Sequence, residues 1–190
     1  MLLLRTRAEN VVPVYQRLVK DFPTVYDLLQ MNENSLKGIL SPLGLKWRTD
    51  MLLMSLRTIV DDFGGEIPTD KQKLLSIPGV GDYIASATRV FSLNLEDPLI
   101  DTNTVRVISR VYGVKVTDSS RRSKVIRDKY SELRNTAEPR AFGFSMIDLA
   151  SLICKSNSPD CHHCTVMKHC STGRGETKLR DYSQKFVKSY

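Results

Sequence analysis

Apolar residues recur every three to four positions along almost the whole chain, and the alternating pattern of a strand is nearly absent. This pattern predicts an all-α protein. The clearest helix runs over 47–63. A stripe of this helix is predicted to face the core and comprises Trp47, Met51, Met54, Ile59 and Phe63. Gly64 and Gly65 follow directly and are predicted to end the helix.

Residues that favour helix ends predict where several other helices begin. Asn10 is predicted to cap a helix in which Pro13 lies in the first turn, where proline is tolerated. Pro23-Thr24 and 32–34 are predicted to begin two short helices. Later helices are predicted over 82–91, from about 101 to Gly113, over 119–137 and over 140–154. The last is predicted to be buried through Phe142, Phe144, Met146, Ile147, Leu149 and Ile153.

A helix that runs toward Ile77 is broken by the stretch Pro78-Gly79-Val80-Gly81, and another helix begins at Asp82. Two glycines separated by one residue allow a sharp turn and leave main-chain N–H groups uncovered. At the start of a helix such amides favour an anion, so the stretch suits a phosphate of any nucleotide. The alternative is a tight turn between two helices, which the glycines would serve equally well.

All four cysteines lie in one short stretch, spaced Cys154-x6-Cys161-x2-Cys164-x5-Cys170. Disulfide frameworks spread their cysteines through the fold, so this clustering favours a shared metal centre. Iron–sulfur clusters and structural zinc both accept four thiolates, and free thiols remain a third possibility. The three histidines, at 162, 163 and 169, are expected on the surface because four thiolates complete the ligand set.

Composition narrows the class of partner without deciding it. Lysine and arginine number 28 against 21 acidic residues, which gives a formal charge of +7 and a pI near 9.3. That excess is compatible with a polyanion such as nucleic acid. The apolar opening 1–4 is too short for a signal peptide or a membrane span. Reduced or metal-bound cysteines indicate the cytoplasm or nucleoid of a microbe.

Asp101 follows Gly81 by twenty residues, within the stretch Ile100-Asp101-Thr102-Asn103 that begins a predicted helix. An aspartate in this position most often serves as a helix cap.

Taken together, three motifs resemble the endonuclease III superfamily of iron–sulfur DNA glycosylases. They are Leu-x-x-Pro-Gly-Val-Gly from Leu75, the stretch around Asp101 that continues to Arg106-Val107, and the 6-2-5 cysteine spacing. Within the superfamily the chain looks closest to thymine–guanine mismatch glycosylases. The resemblance implies two helical lobes, 1–98 and 99–190, with a DNA cleft between them. The first lobe would end in a helix-hairpin-helix at about 75–90, and the second would carry Asp101 and the cluster loop 154–170.

The resemblance also assigns roles to single residues. Cys154, Cys161, Cys164 and Cys170 would hold a [4Fe–4S] cluster, Asp101 would be the catalytic acid, and Gly79, Val80 and Gly81 would bind DNA. Bifunctional relatives place a lysine where this chain has Tyr83, and a phenol cannot form an imine with the sugar. Tyr83 therefore implies an enzyme without lyase activity, although it could simply be a packing residue.

Two further residues match family positions that contact opened DNA. Arg5 falls where relatives fill the vacated stack, and Leu45 falls where relatives place an apolar wedge. A solvated charge and a loop anchor are the alternatives for these two residues. Relatives also carry a helix ahead of the position of Leu3, so a shortened start is expected here.

The resemblance implies a monofunctional DNA glycosylase that acts on thymine or uracil opposite guanine and leaves an abasic site. Its partner would be double-stranded DNA with a mismatched or damaged base, bound by a monomer away from membranes. An adenine glycosylase for adenine–guanine mispairs is one alternative. A lysine-type endonuclease III is a second, which Tyr83 disfavours, and a non-catalytic DNA-binding or redox module is a third.

Overall fold

The computed structural model describes residues 2–3, 6–44, 46–117, 119–135 and 137–178, with only the main chain of Lys46 and Arg48. Within these ranges every regular element is helical and no strand occurs, so the predicted all-α class is confirmed. The α-helices are α1 (Ala8–Asp21), α2 (Val25–Gln30), α3 (Glu33–Leu40), α4 (Lys46–Phe63), α5 (Lys71–Ser76), α6 (Asp82–Ala87), α7 (Thr102–Tyr112), α8 (Lys124–Arg134) and α9 (Pro139–Asp148). None of these described helices is both long and apolar enough to cross a membrane.

The chain divides into two compact units between Ala85 and Ser86. The boundary at 98 and 99 that the sequence suggested stays a prediction. In the first unit, α1, α3 and α4 share a core made of Val11, Val14, Leu18, Leu36, Leu40, Leu43 and Leu53. A second cluster packs α4 against the segment from α5 to α6 and comprises Ile59, Leu74, Ile77 and Ala85.

Side-chain caps define the two short helices of the first unit. Thr24 accepts a hydrogen bond from the Asp27 N–H, and the Asp27 carboxylate accepts one from the Thr24 N–H, which forms a capping box at α2. The Asn32 side chain accepts from the Asn34 N–H at 2.8 Å and begins α3. Both predicted starts are confirmed.

The predicted start of the first long helix is wrong by three residues. α1 begins at Ala8 rather than after Asn10, so Pro13 lies inside the helix instead of in its first turn. Val11 and Val14 on this helix are buried in the core of the first unit. Tertiary packing of an amphipathic face supplies most of a helix's stability in a protein, and here it outweighs the local proline signal.

The face of α4 that the sequence assigned to the core is also partly wrong. Trp47 and Met54 are about half exposed, at 48% and 50%. Ile59 is buried as predicted, but the other buried positions of the helix are Thr49, Leu53, Ser55 and Leu56, which the predicted stripe did not include. Both faces carry apolar residues, so periodicity alone does not distinguish them.

The second unit is built around α7. Its core comprises Val90, Leu99, Ile100, Val105, Val107, Ile108, Ile126, Tyr130, Met146 and Ala150, contributed by α7, α8, α9 and their connections. All residues from Thr104 to Arg110 are buried, including two arginines. The segment before α7 is fixed through Asp97, which is 6% exposed. Its carboxylate accepts hydrogen bonds from the Ser86 hydroxyl at 2.7 Å and from Arg89 Nε at 2.9 Å.

α9 is less buried than its apolar residues suggested. Gly143 faces the core, and a Cβ added there would lie 2.9 Å from both Leu99 and Phe91 side-chain atoms. This close approach does not bury all the apolar residues of α9. Phe144 and Ile147 are 51% and 42% exposed, so the prediction that they are buried is wrong.

Candidate functional site

The hairpin between α5 and α6 turns at Gly79, whose φ of +75° lies in the left-handed region that favours glycine. The Val80 N–H donates to the Ile77 main-chain oxygen at 3.0 Å, so the turn itself uses this amide. Gly79 and Gly81 are both exposed. The turn predicted for this stretch is confirmed, whereas contact of Gly79, Val80 and Gly81 with DNA stays a prediction.

Gly81 differs from Gly79, because the protein itself does not require a glycine there. Its φ is not positive, and a Cβ added to it would meet no atom within 4 Å. The space in front of Gly81 is therefore open to another molecule. A main chain without a side chain can approach a phosphate closely at such a position.

Two contacts within the first unit fix the hairpin. The Ser55 hydroxyl lies within hydrogen-bonding distance of the main-chain oxygens of Met51 (2.7 Å) and Pro78 (2.6 Å) and can donate to one at a time. Lys71 of α5 pairs with Asp82 of α6 at 3.0 Å. The hairpin is thus attached to α4 on one side and closed by an ion pair between its own helices.

Tyr83 lies in the first turn of α6, with 37% of its surface exposed. A phenol at this position can donate or accept a hydrogen bond, but it offers no amine for covalent attack on a sugar. A role for Tyr83 in catalysis stays a prediction.

Asp101 is the N-cap of α7 and is half-buried. Its Oδ1 accepts hydrogen bonds from the Thr104 N–H at 2.7 Å and from the Thr104 hydroxyl at 2.9 Å. Its Oδ2 accepts from the Asn103 amide at 2.9 Å. The cap role that the sequence suggested is therefore present. The same bonds orient the carboxylate, which is what a catalytic acid would need, and that catalytic role stays a prediction.

A chain of hydrogen bonds continues from Asp101 to the cysteine loop, and the sequence analysis did not assign roles to its members. Asn103 Oδ1 accepts from Arg106 Nη1 at 2.9 Å. Arg106 Nε donates to the Cys154 main-chain oxygen at 2.8 Å, and its Nη2 donates to the Ala150 oxygen at 2.9 Å. An arginine on the apolar face of an amphipathic helix was the signal that could have revealed this link, since a buried arginine needs acceptors.

A π-helical turn, Leu149–Ile153, follows α9 directly, and the cysteine loop begins after it at Cys154. All four cysteines are half-buried. The pKa of the Cys161 thiol is raised above its ordinary value by burial first, and then by the negative charges of the other three cysteines. Arg110 acts in the opposite direction. The other three cysteines therefore lie near enough to Cys161 to act on its thiol.

Among the described side chains, no three of His, Cys, Asp or Glu converge on a single metal position. The donor set nevertheless fits an iron–sulfur cluster, because N–H groups already point at two of the sulfurs. Arg110 Nη1 lies 3.3 Å from Cys154 Sγ, and the Gly173 N–H lies 3.4 Å from Cys170 Sγ. Hydrogen bonds to the sulfurs are a common feature of such sites.

The histidines of the loop are all exposed, as predicted. His163 Nδ1 lies 2.8 Å from an Asp160 carboxylate oxygen, and this hydrogen bond lowers the pKa of Asp160 below its ordinary value. Arg5 and Leu45, the two residues expected to contact opened DNA, lie outside the described residues.

Comparison with known proteins identifies the family. A family model described as HhH-GPD superfamily base excision DNA repair protein matches residues 1–133. The thymine/uracil-DNA glycosylase of Pyrobaculum aerophilum is 34% identical over 172 residues, which cover 87% of this chain and 74% of that protein. The thymine-DNA glycosylase of Aeropyrum pernix is 33% identical over 175 residues, which cover 89% and 78%. Adenine DNA glycosylases are more distant, and the rat protein is 28% identical over 172 residues, covering 90% of this chain and 33% of that protein.

A solved structure of a thermostable thymine-DNA glycosylase superposes on the chain with a TM-score of 0.85. The two sequences are 26% identical, and the superposition covers 92% of this chain and 81% of the other. The resemblance that the hairpin, Asp101 and cysteine motifs carried is thereby confirmed. The chain belongs to the HhH-GPD superfamily of base excision DNA repair proteins.

Proposed function

We propose that this chain is a monofunctional DNA glycosylase that removes a thymine or uracil mispaired with guanine and leaves an abasic site. The observation that carries this proposal is the orientation of Asp101, whose two carboxylate oxygens accept bonds from Thr104 and Asn103 at the start of a buried helix. Membership in a family of DNA repair proteins supplies the context for that acid. The net charge of +7 is consistent with a DNA partner.

The reaction requires a nucleotide that has left the stacked duplex, because stacking shields its glycosidic bond. Extrusion costs a few kcal/mol and costs least for a mispaired base, which already favours mismatches over paired bases. Arg5 would fill the vacated space and Leu45 would act as a wedge beside the orphan base, since apolar wedges between bases kink DNA for comparable energies.

Asp101 would act on the sugar. As the bond between C1′ and the base nitrogen breaks, its electron pair leaves with the base and positive charge develops on C1′ and O4′. An ionised carboxylate opposite that charge stabilises it, and can orient the water whose oxygen then bonds to C1′. The proton lost by this water passes, directly or through solvent, to the base that left with the electron pair, which completes the hydrolysis. A charge pair at about 4 Å in a partly shielded site contributes about 4 kcal/mol, which corresponds to about a thousandfold in rate.

Tyr83 supports hydrolysis without strand cleavage. Lyase chemistry needs an amine that attacks C1′ to form an imine, and the Tyr83 phenol cannot supply one. Its exposed position beside the hairpin suits contact with DNA instead. The open space at Gly81 would admit a phosphate held by main-chain amides of the hairpin, a contact that carries no sequence information.

The four cysteines would hold a [4Fe–4S] cluster. When bound, it would supply a rigid anchor for the loop rather than chemistry at the sugar. Lys155 and Lys168 of this loop are exposed and available to phosphate. The clustered cysteines and the prokaryotic relatives fit the cytoplasm or nucleoid of a microbe, and the protein would act as a monomer.

Asp101→Asn tests the proposal. The amide keeps most of the cap bonds but loses the charge, so base release in single-turnover assays should fall about a thousandfold while DNA binding persists. Asp148→Asn, at the exposed end of α9, is the matched control and should retain full activity. Equal base release by Asp101→Asn and the wild type would refute the proposal.

A panel of duplexes that differ in one base pair would define the substrate. Thymine and uracil opposite guanine should be released, and the strand should break only after alkali. Release of adenine opposite guanine instead would indicate an adenine glycosylase. Trapping of a covalent protein–DNA adduct by borohydride would refute the absence of lyase activity, since only an imine is trapped.

A further inference from the structure

Arg110 is a buried residue of α7 that contacts the start of the cysteine loop. It is 4% exposed and lies in the last turn of the helix. Its Nη1 donates to the Lys155 main-chain oxygen at 2.6 Å and also lies 3.2 Å from the Cys154 oxygen. Its Nη2 donates to the Ser156 oxygen at 2.9 Å. The planar fork of one guanidinium thus holds three consecutive residues of the loop.

The main chain of the same residue contacts the other end of the loop. The Arg110 oxygen accepts a hydrogen bond from the Thr172 N–H at 3.0 Å, and the neighbouring Val111 oxygen accepts from the Ser171 N–H at 2.9 Å. The Cys170 thiol also donates to the Arg110 oxygen at 3.2 Å. Binding of a metal removes that thiol proton, but the bonds from the two N–H groups do not depend on it.

Arg110 also brings positive charge to the sulfurs. Its Nη1 lies 3.3 Å from Cys154 Sγ, the first cysteine of the loop. A cluster held by four thiolates is anionic, and a guanidinium at its edge stabilises the more negative, reduced state more strongly than the oxidised state. Lysine carries the same charge but lacks the fork that reaches several carbonyl oxygens at once.

We propose that Arg110 is a positioning residue for the cofactor: it fastens both ends of the cysteine loop to α7 and raises the reduction potential of the bound cluster. This inference rests on the proposed [4Fe–4S] cofactor. It concerns retention and potential of the cluster, and it does not assign Arg110 any part in base release.

Two variants separate the two effects. Arg110→Met removes both the charge and the hydrogen bonds at similar length, whereas Arg110→Lys keeps the charge and loses the fork. Arg122→Met is the matched control, because Arg122 is an exposed arginine of the same unit. The content of iron and sulfide per chain and the rate at which an iron chelator bleaches the visible absorption measure retention of the cluster. Its reduction potential is measured by voltammetry, in which the electrode supplies the electron.

Arg110→Met should release iron at least about tenfold faster than the wild type, because hydrogen bonds to charged groups are lost. It should also shift the one-electron equilibrium constant at least about tenfold toward the oxidised state, which is about 59 mV toward lower potential. Arg110→Lys should release iron as fast as Arg110→Met but keep the potential of the wild type. Arg122→Met should match the wild type in both measurements.

A potential and a release rate equal to those of the wild type in Arg110→Met would overturn the inference, as would shifts of the same size in Arg122→Met. If circular dichroism shows that Arg110→Met does not fold, Arg110→Lys decides, and unchanged iron release there overturns the inference. Wild-type protein without iron would overturn both the cofactor and this role of Arg110. Base release, measured on the same preparations, tests the proposed enzyme separately.

Discussion

Asn103→Ala tests whether orientation of Asp101, and not only its charge, matters for base release. Asn103 Nδ2 donates to Asp101 Oδ2 at 2.9 Å, and its Oδ1 accepts from Arg106 Nη1 at 2.9 Å. Alanine removes both bonds but leaves the Asp101 carboxylate and its bonds from Thr104 in place. The carboxylate would then be fixed through one oxygen only.

The size of the effect follows from the type of bond. A hydrogen bond to a charged group contributes about 1.5–3 kcal/mol net, and the exposed position of Asn103 argues for the lower end. If that energy serves to hold the carboxylate opposite the sugar, its loss lowers the rate of base release about tenfold. Arg106 loses an acceptor in a buried position, so the free energy of unfolding should also fall by about 1 kcal/mol.

The assay is single-turnover base release from a thymine–guanine duplex, combined with DNA affinity and urea unfolding. Asn32→Ala is the control, because it removes an asparagine cap of α3 with a similar bond, 2.8 Å to Asn34 N–H. That control should lower stability by about 1 kcal/mol and leave base release unchanged. Wild-type base release in Asn103→Ala, alongside loss of activity in Asp101→Asn, would show that orientation by Asn103 is irrelevant.

The remaining predictions concern three glycines and one ion pair. Gly81→Ala should weaken DNA binding in a gel-shift titration, since its Cβ enters open space where a phosphate would approach, and should leave the free energy of unfolding unchanged or slightly higher. Gly79→Ala should instead lower the free energy of unfolding by about 1–2 kcal/mol in a urea titration, because the φ of Gly79 is positive. Gly143→Ala should destabilise the protein by about 1–3 kcal/mol in the same urea titration, because its Cβ would lie 2.9 Å from core side chains, and unchanged stability would contradict that contact. A hydrogen bond from Lys129 lowers the pKa of Glu132 below its ordinary value of 4.5. The stability that this pair adds is therefore present above pH 4.5 and is lost as the pH falls through the lowered pKa. The difference in melting temperature between the wild type and Glu132→Gln should shrink as the pH is lowered through this range.

The sequence alone correctly predicted those helix starts and turns that depend on bonds between residues close together in the chain. Thr24 and Asn32 cap their helices because their side chains bond to N–H groups two or three residues away. The chain turns at Gly79 because this residue adopts a positive φ, which glycine favours. The faces of α4 and α9 could not be assigned in this way. Which side of each helix is buried depends on neighbours such as the Pro78 oxygen that contacts Ser55, and no pattern within the helix specifies them.

The same distinction applies to the candidate site. Asp101 and the cysteines could be named because their residue types and spacing match a family. The roles of Asn103, Arg106 and Arg110 could not be assigned, because the arginines bond to main-chain oxygens 44–48 residues away. A main-chain oxygen is present at every residue, so an acceptor of this kind leaves no mark in the sequence.

Burial of α7 explains why the cysteine loop and Asp101 belong to one structural unit. Arg106 and Arg110 are 5% and 4% exposed, and their guanidinium groups require more acceptors than the one that Asn103 provides within α7. Those acceptors are main-chain oxygens of residues 150–156. If the loop left this position, two buried guanidinium groups would lose bonds that contribute about 1.5–3 kcal/mol each. Loss of the loop would therefore destabilise α7 itself, and with it the helix start that orients Asp101.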